Sequence, residues 1–454
     1  MVGGFKMTAG RLSLLAAAGL LLAGGASAQA ADLGGDCCAD LEERIAELEA
    51  TTARKGNRKV SLEVSGQVNE AVIFWDDGFE DNVGVYTNDA SRTRFRFKGD
   101  AKINSEWKAG YLLEIGVRAN NSKRFDQDNP SPADENGLDL RHSTWYIDSK
   151  RLGRVWVGLT GGAGESVTEI NVAGTGDVAK FSDAEDLGGG LALRLADGLY
   201  SNGAAVTGGG AISIRRLIRA GTGNQPGDGR RYNMVRYDTP EIFGFVGTAN
   251  WGADDTWEVG LRYKGEFAGF KMAAGIAYGE ATEPTGDTHT VGFECATGGS
   301  IADAECSQLG GSISIMHEAS GLYTNFAAGY MKDDRIRDLI ADADDKHEFW
   351  AIEAGIQRKW IPLGKTTLFG QYYKNNGGTF SSSSAVINVT GVEERVQSSE
   401  LDIYSLGIMQ GVDAAAMNFY ALYRHVEAEA TGTGGSHVDF EDVDLFMTGA
   451  IIKF

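Results

Sequence analysis

From Val60 onward, apolar and polar residues alternate with a period of two. Val60, Leu62, Val64, Val68, Val72 and Phe74 share one parity, and Ser61, Glu63, Ser65, Gln67 and Asn69 share the other. Trp107, Ala109, Tyr111, Leu113, Ile115 and Val117 alternate in the same way with Lys108, Gly110, Glu114 and Arg118. Successive side chains of a strand point to opposite faces, so each segment has one apolar and one polar face. Similar segments recur at Phe95–Lys102, Ser143–Asp148, Val155–Leu159, Asn233–Tyr237, Phe243–Trp251, Trp257–Phe267 and Phe270–Tyr278. Others follow at Ser312–His317, Leu322–Met331, Phe349–Arg358, Thr366–Tyr373, Leu401–Met409, Ala416–Arg424 and Val443–Phe454. Many are about ten residues long, the length a tilted strand needs to cross a bilayer core.

The connections sort by length. Tight ones lie at Asn104–Glu106, Ser149–Arg151, Thr239–Glu241, Glu266–Gly269 and Glu318–Gly321. Long ones lie at Asp76–Ala90, Asn120–Leu138, Glu280–Leu309, Lys332–Lys346 and Asn375–Ser399, with the short Gly252–Asp255 standing where a long one is due. Short turns on one rim and long loops on the other mark a transmembrane antiparallel β-barrel. A soluble sandwich has no reason to sort its loops this way.

The N-terminus reads differently. Lys6 and Arg11 precede the apolar run Leu12–Ala23, and Ala26, Ser27 and Ala28 follow, the layout of a secretory signal peptide over residues 1–30. Leu41, Ile45, Leu48 and Thr52 then alternate four- and three-residue spacings, which predicts a short amphipathic, coiled-coil-like periplasmic helix within residues 31–57. No later stretch is apolar enough for a membrane helix, so a crossing must be made by a closed barrel over residues 58–454.

Composition narrows the function. The 454 residues include 63 Gly and only 6 Pro, which suits strands and turns. A net charge of −21 argues against nucleic acid as a partner. Of the four cysteines, Cys295 and Cys306 fall in one polar segment, where a disulfide would close a surface loop in an oxidising compartment. Cys37 and Cys38 have no comparable reading, since Asp36 stands where a lipoprotein signal needs a small residue. The six histidines show no metal-ligand spacing, so neither a metal site nor a cofactor is expected.

Several segments resemble the Gram-negative general porins, and more closely an alphaproteobacterial porin group. They are Arg54–Gly66, Ile147–Arg154, Asn233–Pro240 with Phe243–Phe245, and the final strand Met447–Phe454. The terminal aromatic Phe454, on the parity of Phe446 and Ile452, looks like the signal read by the barrel-assembly machinery. The resemblance implies about 16 antiparallel strands, a homotrimer among outer-membrane lipid and lipopolysaccharide, and an inward-folded loop narrowing a pore for small polar solutes and ions. That loop would be the insertion 161–230. It holds two further strand-like segments, Leu191–Leu195 and Ala211–Leu217, which would raise the count to 18 if both joined the wall.

The chemistry of such a pore is a field across a constriction. Arg92, Arg94, Arg96 and Lys98 share one strand face while Phe95 and Phe97 share the other. Cations facing lipid cost about 2–4 kcal/mol each near the midplane, so these face the lumen. Parity sends Arg236 and Arg262 inward as well. Opposing charge would come from Glu165, Glu169, Asp177, Asp183, Glu185 and Asp186 of the insertion. Trp75, Trp107, Tyr111 and Tyr372 are expected in the interfacial aromatic girdles. The function expected is passive diffusion through a non-enzymatic porin. The alternatives are a substrate-specific outer-membrane channel and a structural or adhesive barrel without a channel.

Overall fold

The computed structural model describes residues 59–118, 120–131, 137–207, 210–219, 225–252, 256–281, 306–334, 336, 340, 343–380, 385–389 and 391–454. The chain divides into two units, Met1–Ala53 and Arg54–Phe454. The expected signal peptide and N-terminal helix lie outside the described residues. Among these no helix is long and apolar enough to cross a membrane.

The second unit is one continuous antiparallel sheet. β1 (Glu63–Asp76) pairs at one end with β2 (Asp81–Thr87) and at the other with β3 (Arg94–Lys102). Together β2 and β3 form a single wall strand broken at residues 88–93. Next come β4 (Trp107–Val117), β5 (Leu138–Ser149), β6 (Gly153–Gly161), β7 (Arg231–Asp238), β8 (Phe245–Gly252), β9 (Trp257–Phe267) and β10 (Phe270–Ala281). The wall continues through β11 (Cys306–His317), β12 (Leu322–Asp333), β13 (Lys346–Ile361) and β14 (Gly364–Gly377). β15 (Val386–Ile387) rests on β16 (Glu394–Val412), and β18 (His437–Asp439) on β17 (Met417–Gly432), before β19 (Val443–Lys453). β19 returns to β1 from Gln67↔Lys453 to Asp76↔Asp444, so the wall closes with 16 strands.

The outward parity is apolar along the wall. Phe74, Leu140, Trp145, Leu261, Ile276, Phe326, Ile352, Leu406, Phe419 and Phe446 are all exposed on it. Tyr372 packs edge-on against Trp350 and at a tilt against Tyr404 on this surface. Trp75 does not. It is 3% exposed and faces the lumen, because the strand parity that sends Phe74 outward sends Trp75 in. The Asp76–Ala90 segment also departs from expectation. Most of it is the β1–β2 hairpin, joined by a four-residue turn, rather than a long loop.

The interior explains Trp75. Between β6 and β7 the chain folds into the lumen and includes a short α-helix, α1 (Ile214–Ile218). Its Val178, Phe181, Leu187, Leu191, Leu193, Ile212, Ile214 and Leu217 share one apolar core with wall residues of β1, β13, β14, β16, β17 and β19. The wall contributes Ile73, Trp75, Phe349, Phe369, Tyr373, Leu401, Ile403, Leu422, Leu445 and Met447. Leu191–Leu195 and Ala211–Leu217 belong to this filling. They make only isolated bridges within the insertion, which excludes the 18-strand alternative.

Glycine lets the insertion lie flat against the far wall. A Cβ at Gly310 would strike the carbonyl of Gly227, and one at Gly329 the carbonyl of Pro226. Both glycines stand on β11 and β12 where the end of the insertion crosses them.

The lipid face provides a direct test. Leu406 is 68% exposed on the outward parity of β16. Leu406→Arg should cost about 2–4 kcal/mol of folding free energy in bilayers, read from denaturant titration of tryptophan fluorescence. An unchanged midpoint would contradict the assignment of this face to lipid.

Candidate functional site

The strand break at residues 88–93 builds one side of the lumen. Gln67 and Asn69 of β1 donate to the Ser91 carbonyl at 2.7 and 3.0 Å, and Thr93 Oγ1 accepts from the Asn69 amide at 3.0 Å. Those bonds replace the missing ladder and turn Asp89, Ser91 and Arg92 inward, where all three are buried. Arg92 binds Asp89 at 3.0 Å and Asp139 at 3.0 Å, and Arg118 reaches the same Asp139 at 3.2 Å.

Just below the break, β3 carries Arg94 and Arg96 toward Glu114 on the adjacent β4. Glu114 is 1% exposed and serves three guanidiniums. Arg141 Nε lies 2.6 Å away, Arg94 Nε 3.9 Å, and Arg96 binds closely through its other carboxylate oxygen. Arg94 is loosely held otherwise, with Gln67 and Ser91 at 3.4 and 3.5 Å. Lys98 lies further along β3, half exposed and paired with Glu63 at 2.9 Å.

The insertion, together with Lys123 of the β4–β5 connection, carries two more ion groups, joined where Lys123 also meets Asp186 at 3.2 Å. Glu185 receives Lys123 and Arg219 in close pairs and Arg215 at 3.7 Å. Burial alone would raise the Glu185 carboxyl, but these cations outweigh it and hold the carboxyl well below its usual range. Lys180 has the opposite stoichiometry. Its ammonium meets Glu169 at 2.9 Å, Asp183 at 3.0 Å and Asp186 at 3.1 Å. Burial, then repulsion from Asp186, pushes the Asp183 carboxyl up to about 7 against the pull of Lys180.

These groups line one cavity of about 750 Å³ between β3–β5, β7 and the insertion. Its lining carries twelve Lys and Arg against nine Asp and Glu, a surplus of three basic residues. Of the residues singled out in the sequence, it includes Arg92, Arg94, Arg96, Glu165, Glu169, Asp183, Glu185 and Asp186. Asp177 lines a separate cavity of about 970 Å³ and pairs with Lys453. Arg236 and Arg262 brace the root of the insertion. Arg236 donates to the Gly161 carbonyl at 2.8 Å, and Arg262 to the carbonyls of Ala163, at 3.3 Å, and Glu165. Cys306 is disulfide-bonded, while Cys295, its expected partner, lies outside the described residues.

Several participants were not singled out from the sequence. Lys123 and Lys180 sit in loop sequence, and Arg215 and Arg219 in and at the end of the short α1, with no sustained period to reveal their direction. Three buried wall residues hold the insertion in place. Glu353 accepts from Asn171 at 3.1 Å, Thr175 at 2.7 Å and Gln371 at 2.7 Å. Glu258 accepts from the Gly164 amide at 2.7 Å. Arg424 donates to the carbonyls of Ala184 and Leu187 at 2.6 and 3.1 Å, fixing the turn that presents Glu185 and Asp186. A polar residue on an otherwise apolar inward parity was the available signal for Glu353 and Arg424.

Comparison with known proteins agrees with this architecture. A family profile described as Gram-negative porin matches residues 13–431. An anion-selective porin from Comamonas acidovorans superimposes with a TM-score of 0.52 at 15% identity, covering 87% of this chain and 100% of that one. The outer-membrane channel DcaP of Acinetobacter baumannii gives 0.50 at 11% identity, covering 89% of this chain and 100% of that one. At these identities the likeness is one of fold. No curated protein matches the chain.

The position of Asp183 makes selectivity depend on pH. Below about pH 7 its carboxyl is protonated and neutral, and above it the cavity gains one negative charge. The permeability of anions relative to cations should therefore be greater at pH 6 than at pH 8. Reversal potentials in a KCl gradient should show this shift in the wild type and lose it in Asp183→Asn.

Proposed function

The chain belongs to the Gram-negative porin family, outer-membrane β-barrel channels, and on that premise we propose that its lumen passes small hydrophilic solutes by diffusion with a preference for anions. The supporting observation is the cationic surplus of the 750 Å³ cavity where the insertion narrows the lumen. The chain as a whole carries −21, but an ion at the constriction responds to charges within a Debye length of about 8–10 Å. Local stoichiometry therefore outweighs the total.

The proposal extends to parts of the chain that the site does not touch. Residues 1–30 act as the export signal, residues 31–57 form a periplasmic helix, and residues 58–454 form the barrel with the insertion 161–230 as its constriction loop. Phe454 is the assembly-machinery signal, Cys295 pairs with Cys306, and the barrels form homotrimers surrounded by lipid and lipopolysaccharide. The family resemblance is the support for the trimer. Native electrophoresis with chemical cross-linking should give a three-subunit species, and a ladder ending at one subunit would remove that part.

Planar-bilayer recording tests the channel itself. Folded protein should insert in discrete conductance steps, with a reversal potential of chloride-preferring sign. Arg94→Gln combined with Arg96→Gln leaves Glu114 paired only with Arg141, so the reversal potential should move toward cation preference. Folded wild-type protein that gives no steps would overturn the channel reading. Steps with a cation-preferring wild type would overturn the anion preference.

A further inference from the structure

Among the described residues of the outward parity, Glu70 is out of place. It is exposed at the middle of β1, where Val68, Val72 and Phe74 share its face. Phe74 packs beside Phe446 on one side of it, with ring centroids 6.3 Å apart, and Val64 pairs with Phe97 on the other. The carboxylate therefore stands between two apolar levels of the wall, at the depth of hydrocarbon. It borders the strand break. Thr87 Oγ1 donates to Oε1 at 3.0 Å and Oε2 at 3.1 Å, and Thr93 Oγ1 donates to Oε1 at 2.8 Å. These hydroxyls bring two protons to a carboxylate that accepts at about four sites. No lysine or arginine pairs with Glu70 among the described residues. The break does not need a charge there, since Thr93 Oγ1 itself accepts from the Asn69 amide. An ionisable side chain at membrane depth is costly against lipid and is found almost always against protein or water.

We propose that the outer face from β19 to β5 is the contact between copies of this chain, Glu70 of one copy accepting hydrogen bonds from Ser143 and Trp145 of the next. The inference rests on the homotrimer stated above and assigns its contact face. Ser143 and Trp145 lie on the outward parity of β5, both exposed, and neither side chain has a hydrogen bond within the chain. They are donors without acceptors, and Glu70 is an acceptor with sites to spare. Glu70 is at the middle of β1 (Glu63–Asp76), and Ser143 and Trp145 are at the middle of β5 (Leu138–Ser149). A second copy at the same membrane depth therefore presents its donors at the height of the carboxylate. β1 and β5 stand three strands apart along the wall. Contact between unlike patches of identical subunits is the kind that closes into a ring. The apolar residues around Glu70, among them Val68, Val72 and Val85, match the apolar face that surrounds Trp145, with Leu140, Ile147 and Val155.

The experiment is photo-cross-linking of the full chain in outer membranes, with a benzophenone amino acid placed at one position at a time. Val85 is 62% exposed on β2 beside Glu70, and Ile276 is 53% exposed on β10, far along the wall. Val85 should give an adduct of two copies and Ile276 none. Glu70→Leu should lower the temperature at which the oligomer dissociates on native electrophoresis by about 10 °C or more, because donors of the next copy lose their acceptor. Trp145→Phe should lower it as well, and the double variant should fall no further than Glu70→Leu alone, the mark of one shared interaction. The cross-link decides the matter if Glu70→Leu fails to fold. An oligomer that cross-links at Ile276 and not at Val85, or a Val85 adduct with a different protein, would overturn this contact and leave the homotrimer reading intact. So would an oligomer of folded barrels unmoved by Glu70→Leu. Wild-type protein that runs as one subunit would remove both.

Discussion

In hydrocarbon an unpaired peptide group costs several kcal/mol, and a sheet can avoid that cost only by having no edge. The closure of β19 onto β1 is therefore the condition for everything else in this chain. It fixes which side chains meet lipid, and it creates an interior too wide for side chains from the wall to fill. The insertion between β6 and β7 resolves that second consequence.

The insertion has two unlike sides. Toward β1, β13, β14, β16, β17 and β19 it presents leucine, isoleucine, valine and phenylalanine to an apolar inner wall. Toward β3–β5 and β7 it presents charge. The apolar side determines position, since burying each such side chain is worth about 1.5–3 kcal/mol and many are buried together. The hydrogen bonds from Glu353, Glu258 and Arg424 then select one geometry among the packings that burial alone would allow. The charged side of the insertion is thereby held facing the cations of β3–β5 and β7.

The wall was legible in the sequence because strand period and bilayer thickness act residue by residue. The parity of Val64, Val68 and Phe74, and of Arg94 and Arg96 against Phe95 and Phe97, follows from local pattern alone. The bounds of the insertion were visible too, since regular alternation stops after Leu159 and resumes near Arg231. Trp75 shows where the pattern misleads. An inward residue is expected to be polar only if it meets water, and here it meets protein. The runs Ala71–Trp75, Leu401–Met409 and Val443–Ile452 are apolar on both parities or nearly so, the mark of strands covered on both faces. Read that way, they identify the wall strands on which the insertion rests. The ion clusters were less accessible, because Lys123, Lys180, Arg215 and Arg219 lie in segments whose side-chain directions depend on long-range packing.

The stoichiometry of those clusters bears on why they exist. A network serving stability alone gains most from matched charges, since each unmatched ion near the interior carries a desolvation cost that no partner offsets. Here the Glu114 cluster departs from matching, with three guanidiniums on one carboxylate, whereas the Glu185 and Lys180 groups join through Asp186, which meets Lys123 at 3.2 Å and Lys180 at 3.1 Å. The shared carboxylate of Glu114 lowers the repulsion among its three guanidiniums enough to hold them together, without cancelling their field. Contact with the lumen keeps the remaining cost small, because mobile ions can approach the unmatched side. The same guanidiniums that hold Glu114 in the wall thus also set the charge of the lumen beside it.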